Sequence, residues 1–242
     1  MKQIVYIISA LALSLSLNSC RFVKVSDSVS EWFDEEALKE NTIEASKDYV
    51  TKTVEITDFS LLNIEFPVKV IYSPGPASCT ISAPDNVVDH ILFVQDNDQL
   101  VIKIGRHANF RNIRDIEVQL SSEKLSWVTV TGAGAFESTA PIYAGKTFQM
   151  PLSGAAEAYI KGLVADKVDI DASGAVELKI ENLDCKDFDL DVSGAGDVEV
   201  SGTAEKARAD ISGAGVLDLS GLRSDDLSWD VSGAGKVIKP KA

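Results

Sequence analysis

The chain has 242 residues, 23 Lys and Arg against 37 Asp and Glu, and a formal net charge of −14. That balance argues against a nucleic-acid partner, because non-specific binding to DNA or RNA depends on Lys and Arg neutralising phosphates. Apolar residues at 45% suit a globular chain and exclude a disordered one, while 16 Gly against 2 His point to a turn-rich β protein with little imidazole for catalysis.

The chain opens on Met1 and Lys2, and residues 4–17 form an apolar run too short to cross a bilayer as a helix. The run reads as a secretory signal. It ends in Leu17-Asn18-Ser19-Cys20, which resembles a bacterial lipobox with an atypical Asn18. The pattern predicts a signal peptide over residues 1–19, a lipid on Cys20 and a place on the cell envelope, at the outer membrane. A plain signal peptide or an uncleaved anchor is the alternative. One acyl chain holds a protein only marginally, but a cysteine carrying several makes a lasting anchor. The two remaining cysteines, Cys79 and Cys185, lie far apart and give no spacing signal, so they read as small buried residues that an oxidising compartment would permit to pair. Residues 20–51 are polar and acidic without β alternation and predict a tether, with a helical turn or two between Ser30 and Glu40.

Strand chemistry begins after that. Segments at 62–72, 79–82, 100–104 and 113–120 are rich in Val, Ile, Leu and Tyr, and predict irregular first coils over residues 52–120 that cap one end of a stack. From 121 to 240 the chain repeats itself. Ser or Thr, then Gly, then Ala recurs at Gly132, Gly154, Gly174, Gly194, Gly213 and Gly233, spaced by 22, 20, 20, 19 and 20 residues. Two before each glycine stand Val130, Leu152, Ala172, Val192, Ile211 and Val231. Four before stand Val128, Met150, Ile170, Leu190, Ala209 and Trp229. All twelve are apolar, whereas the positions between them are polar except for Pro151 and Trp127. Such alternation buries one face of a strand and wets the other.

A second alternating segment comes after each corner, as in Asp197-Val198-Glu199-Val200, and a variable polar loop completes the unit. A repeat of about 20 residues with that content cannot bury its apolar face alone and must stack on its neighbours. The fold expected is an all-β, right-handed parallel β-helix, a solenoid with one domain over residues 52–240. Propeller blades need about twice this period, and sandwich strands do not share a signature in register.

The stretch Tyr49-Val50-Thr51-Lys52-Thr53-Val54-Glu55-Ile56-Thr57-Asp58-Phe59, the segments at 64–72 and 81–100, the ending Asp98-Gln99-Leu100-Val101-Ile102 and the Ser-Gly-Ala-Gly repeats together resemble a bacterial family of unknown function, the "putative auto-transporter adhesin, head GIN domain". The resemblance covers nearly the whole chain beyond the leader. It implies a β-helical, secreted or lipid-anchored envelope protein of the kind met in Bacteroidetes, and brings no catalytic residues with it.

The glycine motifs are not nucleotide loops, since no third Gly and no Gly-Lys-Ser/Thr follows and a strand comes next. They read as structural corners, with the column Thr131, Ser153, Ser173, Ser193, Ser212 and Ser232 placed to hydrogen-bond from coil to coil. His90 and His107 have no ligand or triad partners at useful spacing. The acidic column Asp171, Asp191, Asp210 and Asp230, with Asp169 and Asp189 two residues back, is the constellation that points to a ligand or cation face. Carboxylates about 4.8 Å apart repel by about 0.9 kcal/mol per neighbouring pair in water. Either Ca²⁺ or fanning of the side chains into salt water would offset that.

No cofactor is required by any motif. The function expected is a binding or structural module, adhesive towards a glycan, a matrix protein or another envelope protein. A polysaccharide lyase or hydrolase, or an envelope signalling accessory, is the alternative.

Overall fold

Alternating apolar and polar residues make strands, and the computed structural model, which describes residues 42–105 and 109–240, is all-β; among the described residues it holds no α-helix. The signal peptide, Cys20 and most of the expected tether lie outside the described residues. No helix among those described is long and apolar enough to cross a membrane. The strands are β1 (Thr42–Glu44), β2 (Tyr49–Val54), β3 (Leu61–Ile64), β4 (Lys69–Pro74), β5 (Ser78–Pro84), β6 (Ile91–Asp96), β7 (Gln99–Ile104), β8 (Asn109–Arg111), β9 (Glu117–Ser122), β10 (Trp127–Gly132), β11 (Ala135–Ser138), β12 (Ile142–Ile160), β13 (Leu163–Gly233) and β14 (Lys236–Ile238).

The repeat sets the register. β12 pairs in parallel with the first part of β13 through Gln149↔Asp169, Leu152↔Ala172, Gly154↔Gly174 and Ile160↔Ile180, an offset of one repeat. Upstream the same two columns continue. Before the corner, β10 lies against β12 and β3, and β3 against β7, all parallel. After the corner, β11 lies against β12 and β4, and β4 against β9, again parallel. The segment expected to be a variable loop is a third paired side: Ile142↔Leu163 and Thr147↔Lys167 share the β12 and β13 ladder, with one irregularity between Tyr143 and Gly145. That side carries no fixed motif, so alternation alone did not mark it.

The corner glycines stand on one another. Their φ angles run from +93° at Gly132 to +139° at Gly213, a region L side chains rarely occupy. A Cβ on Gly194 would lie 2.4 Å from the carbonyl oxygen of Gly174. From Gly154 onward the column therefore needs glycine twice over, for backbone angle and for close approach.

The inward faces fill the core. Val130, Leu152, Ala172, Val192, Ile211, Val128, Met150, Ile170, Leu190 and Ala209 are buried. The other two expected members are not: Trp229 is 37% exposed and Val231 only half-buried, because among the described residues no further repeat covers this one. Towards the other end large rings replace small residues, with Phe59, Tyr72 and Phe136 buried and Tyr72 stacked on Phe136 at 6.1 Å. The Tyr72 hydroxyl donates to the Ser122 carbonyl at 2.8 Å, so this aromatic end buries no unmet phenol.

Two expectations for the first part need correction. Residues 52–120 are not simply degraded parallel coils, because β2 pairs antiparallel with β5, β5 with β9 and β6 with β7. Antiparallel neighbours can be joined by a very short turn, which lets a parallel column end without another crossover; Asn97 makes that turn between β6 and β7 at φ +52°. Nor does the tether run to residue 51. β1 pairs in parallel with β8, and the Asn86 side chain donates to the Glu44 carbonyl and accepts from the Ser46 N–H. A three-residue strand is too short to show a period.

Candidate functional site

The aspartate column lies where alternation put it, on the wet face of the strands that precede the corners. Asp171, Asp191 and Asp210 line one shallow depression with Ser173 and Ser212. Asp230 is not among them, and its carboxylate accepts from the N–H of Val231 at 3.0 Å. Partial burial and the charges of Asp210 and Asp171 push the Asp191 carboxyl above its usual range.

The repulsion has a local answer. Lys167 sits 3.2 Å from Asp189 and 3.5 Å from Asp169, bridging two repeats, and Arg208 pairs with Asp210 through Nε at 3.1 Å. On the column after the corner Lys179 bridges Glu199 and Glu181 in the same way, at 3.2 and 3.6 Å. Among the described residues no group of three or more His, Cys, Asp or Glu is arranged to hold a metal ion. Lysine and arginine set beside the acids supply the offset at Asp169, Asp189 and Asp210. In the hydroxyl column, Ser173 donates to the Leu152 carbonyl of the preceding repeat at 3.5 Å.

A larger concavity lies elsewhere. A groove of about 1070 Å³ runs along the third side from Tyr143 to Trp229. Its floor is small, with Ala165, Cys185 and Ala204 buried, and alternation turns Asp184, Glu205 and Arg223 outward. Tyr143 is 68% exposed beside the irregularity at Gly145, and Lys239 stands 4.6 Å from the centre of the Trp229 ring. Lys186 reaches back one repeat to Asp166 at 2.7 Å. Asp184, Glu205 and Arg223 make no side-chain hydrogen bond or ion pair among the described residues. The sequence signal was an outward charge between apolar residues, as at Leu183-Asp184-Cys185, in a segment with no motif to align it.

Cys79 and Cys185 are both free and buried, and burial pushes each thiol up to about 12. His90 ends a short turn with its ring edge-on to Phe110 at 5.2 Å, and His107 lies outside the described residues.

Solved structures resemble this one in fold. A "putative adhesin" of Bacteroides fragilis NCTC 9343 matches with a TM-score of 0.65 at 18% identity, over 81% of this chain and 98% of its own. A "putative adhesin" of Parabacteroides merdae ATCC 43184 matches at 0.57 and 16%, over 82% and 100%. A "putative lipid binding protein" of Parabacteroides distasonis ATCC 8503 matches at 0.51 and 15%, over 82% and 100%. No functionally curated protein matches the chain. The family described as "Putative auto-transporter adhesin, head GIN domain" matches residues 58–238, three quarters of the sequence and all of its repeats, and this chain belongs to it.

Proposed function

We propose that the protein is a lipid-anchored module of the cell envelope, a right-handed parallel β-helix of about 20-residue coils, that binds a partner without turning it over. Residues 1–19 act as the signal, Cys20 carries the lipid at the outer membrane, and the chain before β1 gives reach. The parallel pairing at one-repeat offset and the glycine-on-glycine corners support the helical winding. Membership of an adhesin-type family supports display on the envelope.

The observation that carries the binding reading is the third-side groove, an open surface several repeats long that offers outward polar and aromatic groups together. Extended surfaces of stacked repeats suit weak contacts multiplied over many copies on one cell. The wet face around Asp171, Asp191, Asp210 and Asp230 is a second contact surface, tuned by salt through its lysine and arginine pairs.

Cells carrying the protein, screened against glycans and matrix proteins with and without calcium, provide the test. The expected result is capture without product, and loss of the protein from the membrane fraction in Cys20→Ala. Product formed from any polysaccharide overturns the binding reading; a Cys20→Ala protein that stays with the membrane and keeps its fatty-acid label overturns the anchor.

A further inference from the structure

We propose that the groove on the third side holds a neutral oligosaccharide, with Trp229 and Tyr143 as stacking platforms and Asp184, Glu205 and Arg223 as partners for its hydroxyls. The proposal rests on the binding reading above and adds the site and the chemical class of ligand.

Three observations carry it. First, the two exposed rings stand at opposite ends of the groove, with the repeats between them contributing small apolar and outward polar groups together. Adjacent strands are about 4.8 Å apart, so the span from the Tyr143 strand to the last repeat accommodates several linked sugars. Second, Asp184, Glu205 and Arg223 make no side-chain hydrogen bond or ion pair among the described residues. Carboxylates accept only and guanidinium donates only, whereas a sugar hydroxyl does both, so one ligand class satisfies both kinds of group. Third, the lining is close to charge balance, with Asp166, Asp184, Glu205 and Asp225 against Lys186, Arg223 and Lys239, on a chain of −14. An anionic ligand would meet the repulsive field of the whole molecule, and a neutral one does not.

The same features disfavour other occupants. An apolar chain would have to strip water from outward carboxylates that it cannot replace with hydrogen bonds. An extended peptide gains most by pairing its backbone with a free sheet edge. Here the strands beneath the Tyr143 end of the groove are already paired on the third side, as Ile142↔Leu163 and Tyr143↔Val164 show, so side chains are what that end offers.

The purified protein, titrated calorimetrically with neutral tetra- to hexasaccharides of glucose, mannose, galactose and N-acetylglucosamine, tests the assignment. Parallel arms use a uronic-acid oligosaccharide, a long-chain fatty acid and an extended peptide. At least one neutral oligosaccharide should bind, with Trp229→Ala weakening it about tenfold or more and Tyr143→Ala by several-fold. Asp89→Asn, at an exposed ion pair outside the groove lining, should leave its affinity unchanged, and a variant with Asn at Asp171, Asp191, Asp210 and Asp230 together tests the second contact surface. Tyr143 is exposed enough for its variant to fold normally, which guards against a merely misfolded Trp229→Ala. Absence of binding by every neutral sugar overturns the proposal, as does sugar binding that neither aromatic variant weakens. Preference for the uronic acid, the fatty acid or the peptide, lost in the same variants, assigns the groove to that occupant instead. Sugar binding lost only in the quadruple aspartate variant also overturns it while leaving the binding reading intact, and product formation sinks that reading itself.

Discussion

At the scale of single residues, the corner glycines separate two physical demands that usually come together. Gly132 has φ +93° but open space where a Cβ would go, and Gly194 has φ +120° with the Gly174 carbonyl oxygen 2.4 Å from that position. Alanine at Gly132 therefore meets backbone strain alone, of order 1–3 kcal/mol, while alanine at Gly194 must also push two repeats apart. Urea denaturation should show Gly194→Ala clearly more destabilised than Gly132→Ala. Equal losses would mean that the contact between stacked corners is slack and the φ angle alone selects glycine. Both glycines were visible in the sequence as members of one column. Their difference was not, because Gly132 belongs to the first regular corner and has no corner glycine beneath it.

At the scale of an element, the ladder of acids shows what alternation reveals and what it hides. It told which residues face water, and Asp171, Asp191 and Asp210 do line one surface. It did not tell how the charge is offset: Arg208 pairs with Asp210 two residues along its own strand, while Lys167 reaches Asp189 only once repeats stack. Asp191 keeps an unfavourable balance. Burial first, then the charges of Asp210 and Asp171, raise its pKa, with Arg208 pulling the other way. The folded protein thus holds this proton more tightly than the unfolded chain does, and ionisation costs stability. That cost is absent below the ordinary carboxyl pKa of about 3.9 and sets in as pH rises through the higher folded value. Asp191→Asn should accordingly raise the melting temperature at pH 7 and leave it close to wild type near pH 3. A variant less stable than wild type at pH 7 would show that Asp191 gains more from Arg208 than it loses to its neighbours. The third side is the counterexample for legibility. Its strands pair as regularly as the others, yet no repeated glycine or serine marks them, so the groove along it became visible only in three dimensions.

At the scale of the whole molecule the two ends of the strand columns are built differently, and this asymmetry has a measurable consequence. The first columns end in antiparallel strands, β2 with β5 and β6 with β7, over a floor of Phe59, Tyr72 and Phe136 that is almost wholly buried. Among the described residues the repeat around Gly233 has no such cover. Leu227, Val231, Val237 and Ile238 are half-buried and Trp229 is exposed, although Ala209, Ile211, Leu217 and Leu219 one repeat earlier are buried. In a stack each repeat draws stability from its neighbours, and a repeat with one neighbour has about half the interface of an interior one. Amide exchange should therefore be slowest through the middle repeats, slow in β3, β4 and β9, and fastest from about residue 227 onward. The sequence motif gives the opposite impression, since the last corner at Gly233 is as well formed as any and the first strands look degraded. Period reports where the chain can stack, whereas protection depends on what lies above and below. If the amides after residue 227 exchanged as slowly as those at 168–192, the exposed end would have to be covered in solution by another polypeptide, and the native chain would be part of a larger assembly.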